Sequence, residues 1–272
     1  MTKKIYITFL MILLPLFSAI SAANALELFS DSFESGNLTH TTDGTGWAGS
    51  TYTSVVPGEG RTGNYALKFR FIGSAAGTDA HAEQRFVLGF GLTDIYIQYY
   101  IKFPSNYLHR IDSPSNNKFI RLWTETYSDV GQIGASAMRG NLSNIFAEAQ
   151  QWECGPIGEG NLTTSWSLTP SDLGKWLRFE WRFKPDTGSG NGAIEFWVDG
   201  IKKFSYTNLN LCDAPYLKNG YLMGWSNSGF AEQTDIYIDD VTFSTNYIGE
   251  KLPNVKYISP PDNLEVISTT SN

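Results

Sequence analysis

Residue types that build metal clusters and thiol centres are scarce in this sequence. Three histidines and two cysteines occur among the 272 residues, and no histidine lies close in sequence to a cysteine. A catalytic thiol needs a neighbouring base, and a zinc site needs several Cys or His ligands at short spacing. We therefore expect neither a thiol enzyme nor a zinc centre, and no required cofactor.

Basic residues are also few. Lys and Arg number 20 against 27 Asp and Glu, which gives a formal net charge of −7. Nucleic-acid binding depends on clustered Lys and Arg that displace counterions, so a nucleic-acid partner is not expected. This charge balance still permits a local basic cleft for an acidic sugar polymer.

Long apolar runs are missing except at the N terminus. Lys3 and Lys4 precede an apolar stretch from Ile5 to Ile20, and small residues follow up to Ala25. This order predicts a signal peptide over residues 1–25. The stretch is shorter than the roughly 20 residues of a spanning helix. We expect no membrane span in the mature form, and a secreted or periplasmic/extracellular location.

The two cysteines, Cys154 and Cys212, lie in surroundings rich in Gly, Pro and Asn. In an oxidising compartment an even count predicts a disulfide, here one that joins two loops. The chain otherwise reads as one domain over residues 26–250 and an extended C-terminal tail over residues 251–272, where prolines recur. We expect a monomer.

Hydrophobic residues alternate with polar ones at period two, and helical periodicity is almost absent. The clearest alternating segments are Ile95–Phe103, Leu177–Phe183 and Ile194–Val198. Period two is typical of strands buried on one face. Glycine-rich turns, including Asp199–Gly200, separate the segments. The pattern predicts an all-β fold, a two-sheet antiparallel β-sandwich.

Four stretches occur in a characteristic order, namely an opening strand at Leu28–Gly36, a hairpin formed by Gly174–Trp181 and Gly192–Gly200, and a closing strand at Ile236–Phe243. Together they resemble the concanavalin A-like lectin/glucanase superfamily. Their order looks most like the polysaccharide-lyase branch, the heparin-lyase-like and alginate-lyase-like jelly rolls. The resemblance implies a jelly roll whose first and last strands pair, and a polysaccharide as partner.

The resemblance also implies a structural calcium ion. Asp239 falls where the superfamily has a metal-binding Asp in the last strand, and Asp31 would lie near it after the first strand pairs. Carboxylate oxygens are the ligands that calcium prefers. The alternative is that Asp239 faces solvent or caps a turn.

The chemistry of a polysaccharide lyase suggests where a site would lie. β-Elimination from a uronic acid needs a base, often Tyr or His, and a group that neutralises the carboxylate. The predicted strands place Arg85 and Arg121 as neutralising groups, with Tyr100 or His81 as the base. Other predicted substrate-binding residues are Glu83, Lys118, Trp123 and Trp225, because aromatic faces stack on sugars.

Several alternatives remain open at this point. The lyase motifs R-[ST]-E-L, Q-I-H and Y-F-K-A-G-x-Y do not occur, and Gln132–Gly134 lacks the histidine of Q-I-H. The charged residues Glu83, Arg85 and Arg121 could instead form an exposed, salt-bridged sheet face. A paired-carboxylate run typical of glycosidases is also missing. The sequence therefore predicts a polysaccharide lyase acting on an acidic polysaccharide or, alternatively, a non-catalytic glycan-binding or surface-adhesion module.

Overall fold

The structure is a computed structural model, and it describes residues 26–112, 116–124, 132–138, 144–150, 166–188, 190–209 and 216–250. Within these ranges the chain forms sixteen strands and one 3-10 helix, Pro170–Asp172. None of the described residues belongs to a helix long and apolar enough to cross a membrane.

The strands are numbered β1 to β16 along the chain. Their bounds are β1 Glu27–Asp31, β2 Thr41–Thr42, β3 Thr45–Thr51, β4 Thr53–Pro57, β5 Tyr65–Phe71, β6 Ala80–Leu92, β7 Ile95–Lys102, β8 Asn116–Trp123, β9 Gln132–Met138, β10 Asn144–Gln150, β11 Trp166–Ser167, β12 Trp176–Lys184, β13 Gly192–Val198, β14 Ile201–Leu209, β15 Leu217–Ser226 and β16 Thr234–Ser244.

The strands form two eight-stranded sheets. The first sheet has the order β14-β13-β12-β7-β16-β5-β4, with β1 also paired to β16, and the second has the order β11-β10-β9-β8-β15-β6-β3-β2. Neighbours are antiparallel, as in the register of β12 with β13 and of β15 with β6. The predicted two-sheet antiparallel sandwich is therefore confirmed.

The core lies between the sheets and is rich in aromatic rings. Trp181 of β12 is fully buried, and its ring stacks on Phe196 of β13 with centroids 3.9 Å apart. Its indole N–H donates to the hydroxyl of Tyr99 on β7 at 3.1 Å. An aromatic side chain buries roughly 150–250 Å² of surface, so a few such residues contribute a large part of the stability.

Two features expected from the resemblance are present. The first and last strands pair, with Asp31 of β1 opposite Val241 of β16. The strands of the expected hairpin, β12 and β13, also pair, with Phe179 opposite Val198. The turn predicted at Asp199–Gly200 joins β13 to β14, and both residues have positive φ, 51° and 80°. Positive φ at both central turn positions matches the right-handed twist of the flanking strands. Asp199 is therefore a turn residue.

Polar side chains also join the parts of the sandwich. The indole N–H of Trp47, on β3 of the second sheet, donates to Asp31 of the first sheet at 2.7 Å. Beyond β16, the backbone N–H groups of Ile248 and Gly249 donate to the carboxylate of Glu180 at 2.6 and 3.1 Å. Glu180 is on β12, so this contact, the Glu180 clamp, holds the chain against the first sheet.

Candidate functional site

The outer face of the second sheet carries most of the polar residues that the sequence singles out. On β6, Ala82 and Phe86 are fully buried and face the core. Because side chains alternate along a strand, His81, Glu83 and Arg85 occupy the opposite, outer face. This strand therefore has one core-facing side and one outer side.

Three residues from adjacent strands line up across this face, and we call them the arginine row. Tyr221 of β15 pairs with Arg121 of β8 on one side and with Arg85 of β6 on the other. Directly opposed residues in antiparallel strands present their side chains on the same face. Two such steps place the Cα atoms of the two arginines about 10 Å apart, with the phenol between them.

The members of the arginine row differ in exposure. Arg121 is 1% exposed and Tyr221 is 6% exposed, whereas the side chain of Arg85 is 41% exposed. The ring of Tyr221 packs against Trp123, with centroids 5.0 Å apart. Arg85 is therefore the guanidinium most open to a ligand, and Tyr221 is held firmly at the base of the face.

A β-bulge shapes the strand beside Tyr221. The register of β15 against β8 shifts between Leu222 and Ser226, and Met223 and Gly224 have φ of 60° and 139°. A Cβ at Gly224 would lie 2.6 Å from the Tyr221 ring. Only glycine combines this φ with so close an approach. The backbone at Gly224 thus makes room for the ring of Tyr221.

Glu83 links two of the predicted catalytic residues. Arg85 Nε donates to Glu83 Oε1 at 2.5 Å, and His81 Nε2 lies 3.3 Å from Glu83 Oε2. Burial alone would raise the pKa of Glu83, but the hydrogen bonds from His81 and Arg85 outweigh it and keep the pKa below its usual value. Glu83 is 3% exposed, so it acts as a buried anion that holds both neighbours.

Trp225 lies at the end of this face next to His81. The two residues are register partners, and their rings stack in parallel with centroids 4.4 Å apart. The structure thus brings together His81, Glu83, Arg85 and Trp225 on two adjacent strands. Lys118 and Trp123 are on β8, the next strand, where Lys118 Nζ donates to Asn227 Oδ1 at 3.1 Å and Trp123 is 5% exposed.

Tyr100 does not join this group. It belongs to β7 of the first sheet, where it pairs with Arg178 and Asp239. The guanidinium of Arg61 covers its ring at 3.6 Å from the centroid. The expectation that Tyr100 stands beside Arg85 was wrong, because their strands belong to opposite sheets. Tyr221 is the tyrosine that occupies this position.

Sequence reasoning missed Tyr221, although a signal for it was available. Tyr221 and Trp225 are four residues apart on one strand, so period-two alternation places both on the same face. Trp225 was already a predicted substrate-binding residue. The partner strands could not be identified in the same way, because β8 and β15 are about a hundred residues apart in the chain.

The two predicted metal ligands, Asp31 and Asp239, both accept hydrogen bonds from the protein. Both oxygens of Asp31 accept protein donors, the N–H of Phe33 and the indole of Trp47, each at 2.7 Å. Both oxygens of Asp239 accept backbone N–H groups at 2.7 Å. Burial raises the pKa of Asp239 to about 6. Among the described residues no group of three His, Cys, Asp or Glu side chains converges.

The structural calcium ion stays a prediction. Cys154 and Cys212 lie outside the described residues, so the disulfide also stays a prediction.

The fold and the outer face of the second sheet together define a concanavalin A-like jelly roll with a charged and aromatic sheet surface. A sequence model of the family described as polysaccharide lyase matches residues 33–242. The chain therefore belongs to the polysaccharide lyase family. No curated protein matches the sequence.

Solved structures support the same fold at low sequence identity. An endo-β-1,4-glucuronan lyase from the fungus Trichoderma reesei is similar with a TM-score of 0.59 and 16% identity, over 81% of this chain and 96% of that one. The alginate lyase Aly36B, in complex with an alginate trisaccharide, is similar with a TM-score of 0.55 and 14% identity, over 80% of this chain and 98% of that one. The binding domain of a botulinum neurotoxin is similar with a TM-score of 0.54 and 10% identity, over 82% of this chain and 49% of that one. Such distant likeness shows the fold, which serves both lyases and binding domains.

Proposed function

We propose that this protein is an exported polysaccharide lyase that cleaves an acidic polysaccharide by β-elimination on the outer face of the second sheet. The observation that carries the proposal is the arginine row, in which Tyr221 lies in register between Arg121 and Arg85. Membership of the polysaccharide lyase family supports the reaction type. Residues 1–25, in which Lys3 and Lys4 precede an apolar stretch, support export.

The reaction requires a base, a proton donor and a cationic partner. A base removes the proton from C5 of a uronic acid, the electron pair forms a C4–C5 double bond, and the bond from C4 to the glycosidic oxygen breaks. The departing oxygen takes up a proton. Negative charge accumulates on the C5 carboxylate during proton removal, so fixed cations beside it lower the barrier.

The arginine row offers these functions in one place. The guanidinium of Arg85 is accessible and suits a carboxylate, since its planar N–H groups can bind both oxygens. We assign proton transfer to the hydroxyl of Tyr221, which is packed against Trp123 and therefore has few alternative positions. Arg121 adds a second positive charge next to the phenol and is buried at the base of the face.

His81 is the weaker choice of base. Its Nε2 is engaged with Glu83 at 3.3 Å, and its ring is covered on one side by Trp225. Its Cα is also four residues along β6 from that of Arg85, about 13 Å at the usual rise per residue.

A second function is favoured by the ion pairing of the face. Glu83 already neutralises Arg85, and Trp225 is an exposed ring of the kind that stacks on sugars. A non-catalytic glycan-binding module would need these features and no proton carrier. The two functions differ in whether the hydroxyl of Tyr221 is required for bond cleavage.

The test is incubation of the purified protein with a panel of uronic-acid polymers while ultraviolet absorbance of the unsaturated product is followed. We expect absorbance to rise on at least one acidic polymer. Tyr221→Phe should then lower kcat by about 100-fold or more, as removal of an acid–base group does. Tyr100→Phe is the matched control, because it removes the same hydroxyl from the other sheet.

Arg85→Ala should raise KM and lower kcat, because Arg85 would contact the reacting carboxylate. Its control is Arg70→Ala, since Arg70 is also a partly exposed arginine paired with an acid, Asp235, but belongs to the first sheet. A flat absorbance trace on every acidic polymer, with binding retained, would replace the lyase by the binding module. Unchanged cleavage by Tyr221→Phe would refute the assignment of proton transfer.

A further inference from the structure

Trp225 is unusual among the aromatic residues of the described chain in being both supported and open. One face of its indole lies on the imidazole of His81, parallel and with centroids 4.4 Å apart. The residue is nevertheless 47% exposed. An indole with one face covered and nearly half its surface exposed presents its other face to solvent. That open face is the shape that stacks on the C–H face of a sugar ring.

The support beneath Trp225 is built from buried contacts. His81 is held by Glu83, which is 3% exposed. The next residue, Ser226, is fully buried and donates its hydroxyl proton to Nε2 of His109 at 2.7 Å. A ring fixed before the ligand arrives loses little side-chain entropy on binding.

The turn after Trp225 is anchored as well. Asp79 accepts the backbone N–H of Ser228 at 3.0 Å and the side-chain amide of Asn227 at 2.9 Å. Asn227 in turn accepts from the ammonium of Lys118 at 3.1 Å. The indole therefore stands on a rigid strand end, with a cationic side chain near by.

The position of Trp225 relative to the arginine row decides what it could bind. Trp225 pairs with His81, and Tyr221 pairs with Arg85, on the same two strands. The separation along β6 is four residues, about 13 Å at the usual strand rise. This spacing between backbone positions is longer than one sugar ring, which favours separate sugars at Trp225 and at Tyr221.

We propose that Trp225 forms a remote sugar-stacking subsite, that His81 is the positioning residue which holds its indole, and that the site therefore takes a polymeric chain several sugars long. The cation of Lys118 beside this end of the face suits an acidic sugar in that subsite. The proposal rests on the proposed function, because the span is measured from the arginine row.

The test compares a long acidic polymer with the shortest oligosaccharide that wild type cleaves. Trp225→Ala should raise KM for the polymer about 10-fold, the effect of losing one stacking contact, and affect the shortest oligosaccharide much less. Trp225→Phe should retain most of the affinity because a flat ring remains. Tyr247→Ala is the control, because it removes a partly exposed ring that packs against Trp197 of the first sheet.

His81 variants separate positioning from catalysis. His81→Ala should raise the polymer KM as Trp225→Ala does. His81→Phe, which cannot carry a proton but can stack, should recover most of that loss. Loss of kcat on the shortest oligosaccharide in His81→Phe would overturn the positioning role. An equal loss in Trp225→Ala on short and long substrates would overturn the remote subsite.

Binding without cleavage distinguishes failure of the subsite from failure of the lyase. Migration of the protein through native gels that contain the acidic polymer reports affinity whether or not the polymer is cleaved. If no polymer is cleaved, retardation that is lost in Trp225→Ala and kept in Tyr247→Ala still supports the subsite. Retardation unchanged in Trp225→Ala overturns it.

Discussion

The buried histidine His109 should make the stability of this protein fall on mild acidification. It is fully buried, its Nδ1–H donates to the carbonyl of Arg110 at 2.9 Å, and Nε2 accepts from Ser226 at 2.7 Å. In the neutral form of His109, each ring nitrogen therefore has a hydrogen-bond partner. Burial lowers the pKa of His109 from 6.5 to about 4, against a smaller opposing effect of the hydrogen bond to Arg110.

The sign and size of the effect follow from proton linkage. The folded-state pKa is below the unfolded value, so the unfolded chain binds the proton first as the pH falls. The contribution of His109 is therefore complete above about pH 6.5 and is lost progressively down to about pH 4. A difference of this size corresponds to about 3 kcal/mol of unfolding free energy.

Asp239 opposes this trend, so the pH dependence of the wild-type unfolding free energy does not by itself report the contribution of His109. Burial first, and then the charge of Asp240, raise the pKa of Asp239 from 3.8 to about 6. Its folded form binds the proton more tightly than the unfolded chain, and stability from this group decreases as the pH rises through about 6. The two slopes therefore partly cancel between about pH 4 and pH 6.

Urea unfolding of wild type and His109→Gln across this pH range isolates the histidine. Glutamine keeps a donor and an acceptor but does not titrate, so the difference in unfolding free energy should shrink by about 2 kcal/mol or more between pH 7 and pH 4.5. Asp239→Asn should change the slope in the opposite direction. A difference between wild type and His109→Gln that does not vary with pH would refute the reasoning.

Three further predictions concern packing. Trp181→Ala should cost about 3–5 kcal/mol in urea unfolding because it empties the centre of the aromatic core. Gly224→Ala should lower activity by displacing Tyr221, whereas Gly174→Ala, also at positive φ but in open space, should cost stability only. Glu180→Ala should speed hydrogen exchange at the Ile248 and Gly249 amides, measured by NMR, and unchanged protection there would contradict the Glu180 clamp.

The fold could be predicted from the sequence because its main signals are local. Alternation along 177–183 and 194–198, and the turn residues Asp199 and Gly200, depend only on near neighbours. The division of β6 into a core-facing side and an outer side follows from the same alternation with period two. Burial of Phe179, Trp181 and Phe183 agrees with the first pattern.

The site was less predictable because it depends on which strands become neighbours. Tyr100 and Tyr221 are equally plausible from the sequence, and only the order of strands in the two sheets separates them. The bulge at Met223–Gly224 and the stacking of His81 on Trp225 are likewise non-local. Asp31 and Asp239 come near each other through strand pairing, but donors from Trp47 and Arg61 occupy their oxygens.

The Glu180 clamp has a practical consequence for handling this protein. It holds Ile248 and Gly249 against the first sheet, while the arginine row and Trp225 belong to the second sheet. A solid support or a fusion partner attached at residue 250 would therefore start on the side of the sandwich opposite the arginine row. Immobilised protein should keep the sugar-facing surface accessible, whereas coupling through Lys118 would block it.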